Sequence, residues 1–141
     1  MRGKVLAAIL GHFLKAFTGI IAAPIPIGIY YNEPLINLTG FLYSSIACLI
    51  LGLSLTRIGD YEEPSVGEAM ISTVMGWTIA VVLGAIPLLL EMNLVDAIFE
   101  ATAGLTTTGI SLFLEPSALP NSILFWRALM QWVGGLGVLT F

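Results

Sequence analysis

The chain has 141 residues, 57% of them hydrophobic and only 10% charged, with a formal net charge of −4 and a mean hydropathy of +0.98. These values exclude an ordinary water-soluble domain, and the five basic residues form no run that would hold nucleic acid. The lone cysteine, Cys48, excludes an internal disulfide and, set inside an apolar run, is expected to be an inert packing residue.

The first apolar segment runs from about Ile9 to Tyr31, after Arg2 and Lys4. Further membrane segments follow it directly, so it is read as a retained helix and not as a cleaved leader. His12 and Lys15 fall in its first turns, and Lys15 is expected to snorkel to the near interface instead of lining an ion path. Pro24 and Pro26 each remove a backbone donor and should kink or break the helix. Tyr30 and Tyr31 then sit where an aromatic belt belongs, and Asn32, Glu33 and Pro34 make a turn.

A second span is expected from about Leu35 to Leu55, ending at Arg57. The triplet Asn37, Leu38, Thr39 formally fits a glycosylation acceptor, but it lies too near the start of this apolar run to carry weight. Residues 57–65 are polar. Ser65 followed by Glu68 has the spacing of a capping box, which marks the start of a third span, Gly67 to about Leu90. Glu62 and Glu63 are read as solvated loop charges, since no histidine or further carboxylate pattern makes them a metal site. Arg2, Lys4 and Arg57 fall on one side of a hairpin of the first two spans, which predicts a cytoplasmic N-terminus and a third span that exits near Glu91.

The run from Asn93 to Gly104 is about a dozen residues, where a crossing helix needs roughly 20. Asn93 can cap it with Asp96 three residues on, so it reads as a re-entrant half-helix. Its partly negative C-terminal end would point into the membrane and favour cations. Thr106, Thr107, Thr108 and Gly109 follow, poor material for continuing a helix. Irregular backbone at membrane depth survives only where protein buries it or where it lines a water-filled path. An extended run there, with glycine easing the backbone angles, could offer successive carbonyl oxygens in place of an ion's water shell, and the threonine hydroxyls could add inner ligands. An oxygen-only site of this kind suits a hard monovalent cation.

Glu100 lies in the middle of the half-helix, and a carboxylate within the membrane must be paired, protonated or hydrated. Arg127, early in a last segment that runs from Ser122 to Phe141, is at a plausible depth to meet it. The expectation is an ion pair that clamps the half-helix to the final span, with direct attraction of cations by Glu100 as the rival role. Gly134, Gly135 and Gly137 in that span allow close packing, or a hinge. The absence of a polar terminus after Phe141 reads as a chain cut short.

Asp96, Ala97, Ile98, Phe99, Glu100, then Ala103, Gly104, Leu105, Thr106, Thr107, Thr108, Gly109, followed by Leu119, Pro120 and by Phe125, Trp126, Arg127, Gln131, Trp132, Gly134, Gly135, Leu136, Gly137, resemble the first pore repeat of the Trk/Ktr/HKT potassium transporters. The strong resemblance covers about a third of the chain; the preceding spans fit by their order, by Pro24 and by the tyrosines after it. It implies an all-α membrane protein of two leading transmembrane helices and a cytoplasmic loop (residues 1–66) followed by one pore repeat (residues 67–141). That repeat would have an outer helix at 67–91, a pore helix at 93–104, a filter at 106–110 and an inner helix at 121–141. It also implies potassium uptake across the cell membrane, with Thr107, Thr108 and Gly109 as carbonyl ligands for potassium, Thr106 adjoining them, and Glu100 and Arg127 as support. The implied partners are three further pore repeats, a second copy in a homodimer, a cytosolic nucleotide-binding regulatory subunit and the lipid bilayer. One quarter of a filter is not expected to conduct by itself.

Two other classes compete. A small proton-coupled multidrug exporter of four short helices would use Glu100 as its proton and substrate carboxylate, but leaves the threonine string and the uneven helix lengths accidental. A membrane anchor or assembly subunit would be indifferent to Glu100. One histidine, one cysteine and scattered carboxylates give no nucleophile and base arrangement, so no enzyme is expected.

Overall fold

The structure is a computed structural model that describes residues 2–140, with side chains described through Gly137; every regular element among these residues is a helix. Helix α1 (Gly3–Ala22) begins earlier than the expected Ile9, because Leu6, Leu10, Leu14, Phe17 and Ile21 recur at helical spacing and are buried along one face. The proline pair breaks it at Ala23. Pro24 opens the short helix α2 (Pro24–Tyr30), at the position where its missing N–H costs nothing. The turn that follows holds Asn32 at φ 55°, a region asparagine enters more readily than most residues, and the Glu33 N–H donates to the Gly28 carbonyl at 2.9 Å.

Helix α3 (Leu35–Ile58) runs back against α1. Small residues bring the two backbones together: a Cβ added at Gly11 would fall on the Gly52 carbonyl and the Thr56 nitrogen. Cys48, fully buried, donates its thiol to the Leu14 carbonyl at 3.1 Å, in keeping with a packing role.

Ser65 and Glu68 form the expected capping box at the start of α4 (Val66–Ala85), with the Glu68 carboxylate accepting the Ser65 N–H at 3.0 Å. Arg2 joins this cap. Its backbone N–H and guanidinium both donate to Glu68, and it also pairs with Glu62, which raises the guanidinium pKa still further, first through Glu68. The start of the chain is thereby tied to the start of α4. Glu62 is thus an ion-pair partner, and no cluster of three metal-ligating side chains occurs among the described residues.

The third span leaves α-helical geometry at Ala85, because Pro87 cannot continue the ladder; residues Ile86–Leu90 form a 3-10 turn instead. Helix α5 (Leu94–Leu105) and helix α6 (Asn121–Thr140) complete the fold, with a second 3-10 turn, Pro116–Ala118, between them. Phe141, the expected last residue of α6, lies outside the described residues.

Trp126 of α6 is the hub of the core. It is fully buried, stacks edge-on against Phe41 of α3 at 6.0 Å, lies near Phe17 of α1, and donates its indole N–H to the Gly84 carbonyl of α4 at 3.0 Å. One side chain therefore touches the leading hairpin and the helices that follow it. Around this core, Leu42, Ile46, Leu49 and Leu53 of α3 and Met70 and Val74 of α4 are exposed, an apolar exterior that suits lipid and not water. Three helical stretches among the described residues, Gly3–Tyr30, Leu35–Ile58 and Val66–Leu90, are long and apolar enough to cross a membrane.

Candidate functional site

Helix α5 has 12 residues, so it is only about 18 Å long. The Asn93 side chain accepts the Asp96 N–H at 3.0 Å through its oxygen and donates its amide N–H to the Asp96 carboxylate at 2.6 Å, the cap expected from the sequence. The far end of α5 stops alongside the middle of the long helices. Leu105 meets Gly134, which lies about 20 Å along α6 from its start. Leu105 and Thr106 also line a cavity of about 350 Å³ with Trp77, Thr78 and Val81 of α4. The chain then turns back toward the end from which α5 came, where α6 begins. This is the re-entrant half-helix and return loop.

The reversal is a specific hydrogen-bonded cap. The Thr108 N–H donates to the Ala103 carbonyl and the Thr107 N–H to the Gly104 carbonyl, both at 3.0 Å, the paired bonds of a Schellman motif. In that motif the residue after the C-cap is left-handed and usually glycine; here it is Thr107, at φ 56°. A β-branched residue in that region is strained, by about 1–2 kcal/mol. Thr106 and Thr107 are consequently turn residues, and the extended run expected to begin at Thr106 does not: the backbone leaves the cap only at Thr108. Gly109 is left-handed too, at φ 76°.

Among the described residues the carbonyls of Thr106, Thr107, Thr108 and Gly109 accept no hydrogen bond, and all four residues are exposed. The Thr106 hydroxyl donates to the Thr102 carbonyl at 2.7 Å and sits 2.8 Å from the Thr108 hydroxyl, so these two side chains brace the turn.

Behind the turn lies the expected ion pair. Glu100 is 3% exposed and Arg127 16%; Arg127 Nε and Nη2 stand 2.8 and 2.7 Å from one oxygen of the carboxylate. The Ser111 hydroxyl donates to the same oxygen at 2.9 Å, and the Leu112 N–H donates to the other at 3.0 Å. Three hydrogen bonds, from Arg127 Nε, the Ser111 hydroxyl and the Leu112 N–H, together with the ion-pair contact to Nη2, satisfy the buried charge. Arg127 Nη2 also donates to Ser111 Oγ at 2.7 Å, and the guanidinium lies 5.1 Å from the centre of the Phe113 ring. A carboxylate so enclosed is poorly placed to exchange protons and substrates, which removes the geometric basis for the exporter reading.

Ser111, the Leu112 N–H and Phe113 went unread in the sequence. Nothing local marks them, because their partners are Glu100 and Arg127, brought close only by the re-entrant path. The contact between the Glu33 carboxylate and Ser122, whose N–H donates to it at 3.0 Å and whose hydroxyl donates at 2.6 Å, was not read from the sequence either, although Pro120 just before α6 was a usable signal, since it has no side-chain acceptor with which to cap that helix.

The family model of the cation transport protein TrkH matches residues 38–141. An "uncharacterized cation transporter MJ1485" of Methanocaldococcus jannaschii is 35% identical over 93% of this chain and 28% of its own length. The Trk system potassium uptake protein TrkH of Escherichia coli (strain K12) is 27% identical over 99% of this chain and 30% of its own. The crystal structure of the potassium transporter TrkH from Vibrio parahaemolyticus superimposes with a TM-score of 0.88 at 26% identity, covering 98% of this chain and 30% of that one. The chain thus spans about 30% of the length of these relatives.

Proposed function

The chain belongs to the TrkH family of cation transport proteins, and we propose that it supplies the leading helix pair (residues 1–66) and the first pore repeat (residues 67–141) of a potassium uptake protein. The family is one of transporters and not of enzymes. The observation that carries the reading is the run of exposed residues Thr106, Thr107, Thr108 and Gly109, whose carbonyls receive no hydrogen bond from any donor among the described residues, hung from a capped half-helix. Thr107, Thr108 and Gly109 are the proposed carbonyl ligands, with Thr106 adjoining them, and potassium is their transported substrate and not a resident cofactor. The negative end of the α5 dipole adds to the attraction.

Three further segments of the same kind would close the filter around the ion. By the resemblance to Trk/Ktr/HKT transporters, the assembly is a homodimer in the cell membrane, in contact with a cytosolic nucleotide-binding subunit. Arg2, Lys4 and Arg57 share one end of the bundle, which supports a cytoplasmic N-terminus.

Gly109→Ser tests the ligand assignment. A Cβ there meets no atom within 4 Å, so folding should survive, but a side chain at φ 76° is strained by about 1–2 kcal/mol. Relief of that strain would re-aim the carbonyls. In the intact transporter, the preference for potassium over sodium, read by competition against rubidium uptake, should fall about tenfold. Unchanged selectivity would remove Gly109 from the ligand set.

A further inference from the structure

Helix α6 has an unusual start. The first N–H groups of any helix lack partners within it, and the residue ahead of Asn121 is Pro120, whose side chain accepts no hydrogen bond. The cap comes from 89 residues away: the Glu33 carboxylate accepts the Ser122 N–H at 3.0 Å through one oxygen and the Ser122 hydroxyl at 2.6 Å through the other. Ser122 is fully buried and Glu33 partly so. An anion at this end also complements the helix dipole.

Glu33 is itself held. Its N–H is bonded to the Gly28 carbonyl within the turn that Asn32 makes possible by adopting φ 55°, and α2 packs along α6. The carboxylate is thus a fixed point on the leading hairpin. Five residues beyond Ser122, about 8 Å along the same helix, lies Arg127, the side chain that holds Glu100 and Ser111 behind the turn.

We propose that Glu33 is a positioning residue for the filter: by capping α6 from the leading hairpin, it sets the height at which Arg127 meets Glu100 and Ser111. The leading helices are then part of the selective apparatus and not only an anchor. This rests on the transport reading above. A carboxylate takes both Ser122 donors and brings a negative charge to the start of α6; a glutamine amide can still accept the Ser122 N–H and donate to the hydroxyl, but without the charge that strengthens these bonds and complements the helix dipole.

The test uses the intact transporter in a host that lacks other potassium uptake, with surface amount measured for each variant. Wild-type uptake of rubidium comes first, and its absence would overturn the transport reading itself. Given wild-type uptake, Glu33→Gln should raise the apparent KM for potassium and lower its preference over sodium several-fold at normal surface amount. Ser122→Ala should do the same to a smaller degree, and Ser122→Thr, which keeps the hydroxyl, should retain wild-type values. The double variant Glu33→Gln with Ser122→Ala should be no worse than Glu33→Gln. Hydrogen exchange at the amides of residues 122–126 should speed up in Glu33→Gln. Faster exchange with unchanged KM and selectivity would reduce Glu33 to a helix cap and overturn the proposal, as would unchanged exchange.

Discussion

Arg127→Gln in the intact transporter is expected to lose most of its correctly assembled protein, and most of the uptake of what remains. The substitution leaves Glu100 buried at 3% exposure without its cation. Removing one partner of a buried pair costs about 3–5 kcal/mol, a large part of the roughly 5–15 kcal/mol that stabilises a typical domain. The damage should not stay local. Glu100 also holds Ser111 and the Leu112 N–H, so its reorientation frees the return loop on the far side of Gly109. Glu100→Gln should be milder, because the amide still accepts a hydrogen bond from Arg127 while the guanidinium keeps its contact with Phe113. If uncompensated charge is the cause, Glu100→Gln combined with Arg127→Met should recover protein that Arg127→Gln alone loses. The monodisperse fraction after detergent extraction and rubidium uptake per surface copy are the measurements. Wild-type values for Arg127→Gln would show that the pair is dispensable.

What could be read from the sequence follows the range of the forces involved. Asn93 with Asp96, and Ser65 with Glu68, are contacts across three residues, so their chemistry is visible in the string itself. Pro24 and Pro26 act on their own helix, and the break at Ala23 follows. Glu100 and Arg127 are far apart in sequence but still legible, because two opposite charges in an apolar chain have few other ways to be satisfied. Pro87 is the counterexample: the third span was drawn through it, although its effect is local. The cap at Thr107 was hidden for a different reason. Left-handed caps advertise themselves by glycine, and here the fold forces a threonine into that place while Gly109 stands two residues on. Ser111 and Glu33 had no signal of their own, since hydroxyl and carboxylate in loops are ordinary until tertiary structure supplies their partners.

Gly134→Ala and Gly135→Ala, neighbours on one helix, are expected to behave oppositely. On helix propensity alone both should help, since alanine is favoured over glycine by about 1 kcal/mol in a helix interior. Their surroundings differ. A Cβ at Gly134 would land on the Leu105 carbonyl oxygen, with the Leu105 carbonyl carbon 2.8 Å and its Cα 3.1 Å away, all backbone atoms that cannot rotate aside. A Cβ at Gly135 meets only Thr107 Cγ2 at 3.8 Å, an ordinary contact. Overpacking of the first kind costs about 1–3 kcal/mol, and the backbone that must yield is the last residue of α5, from which Thr106, Thr107 and Thr108 hang. Gly134→Ala should therefore lower thermal stability and depress potassium uptake more than tenfold, while Gly135→Ala should leave uptake within about twofold of wild type and stability equal or higher. Thermal unfolding in detergent, paired with uptake per surface copy, separates the two. A hinge at this glycine pair predicts another pattern, with both alanines impairing transport and neither lowering stability, because a hinge needs freedom at each residue and close approach needs space only at Gly134. The unbroken course of α6 from Asn121 to Thr140 and the fit of Leu105 against Gly134 favour close approach.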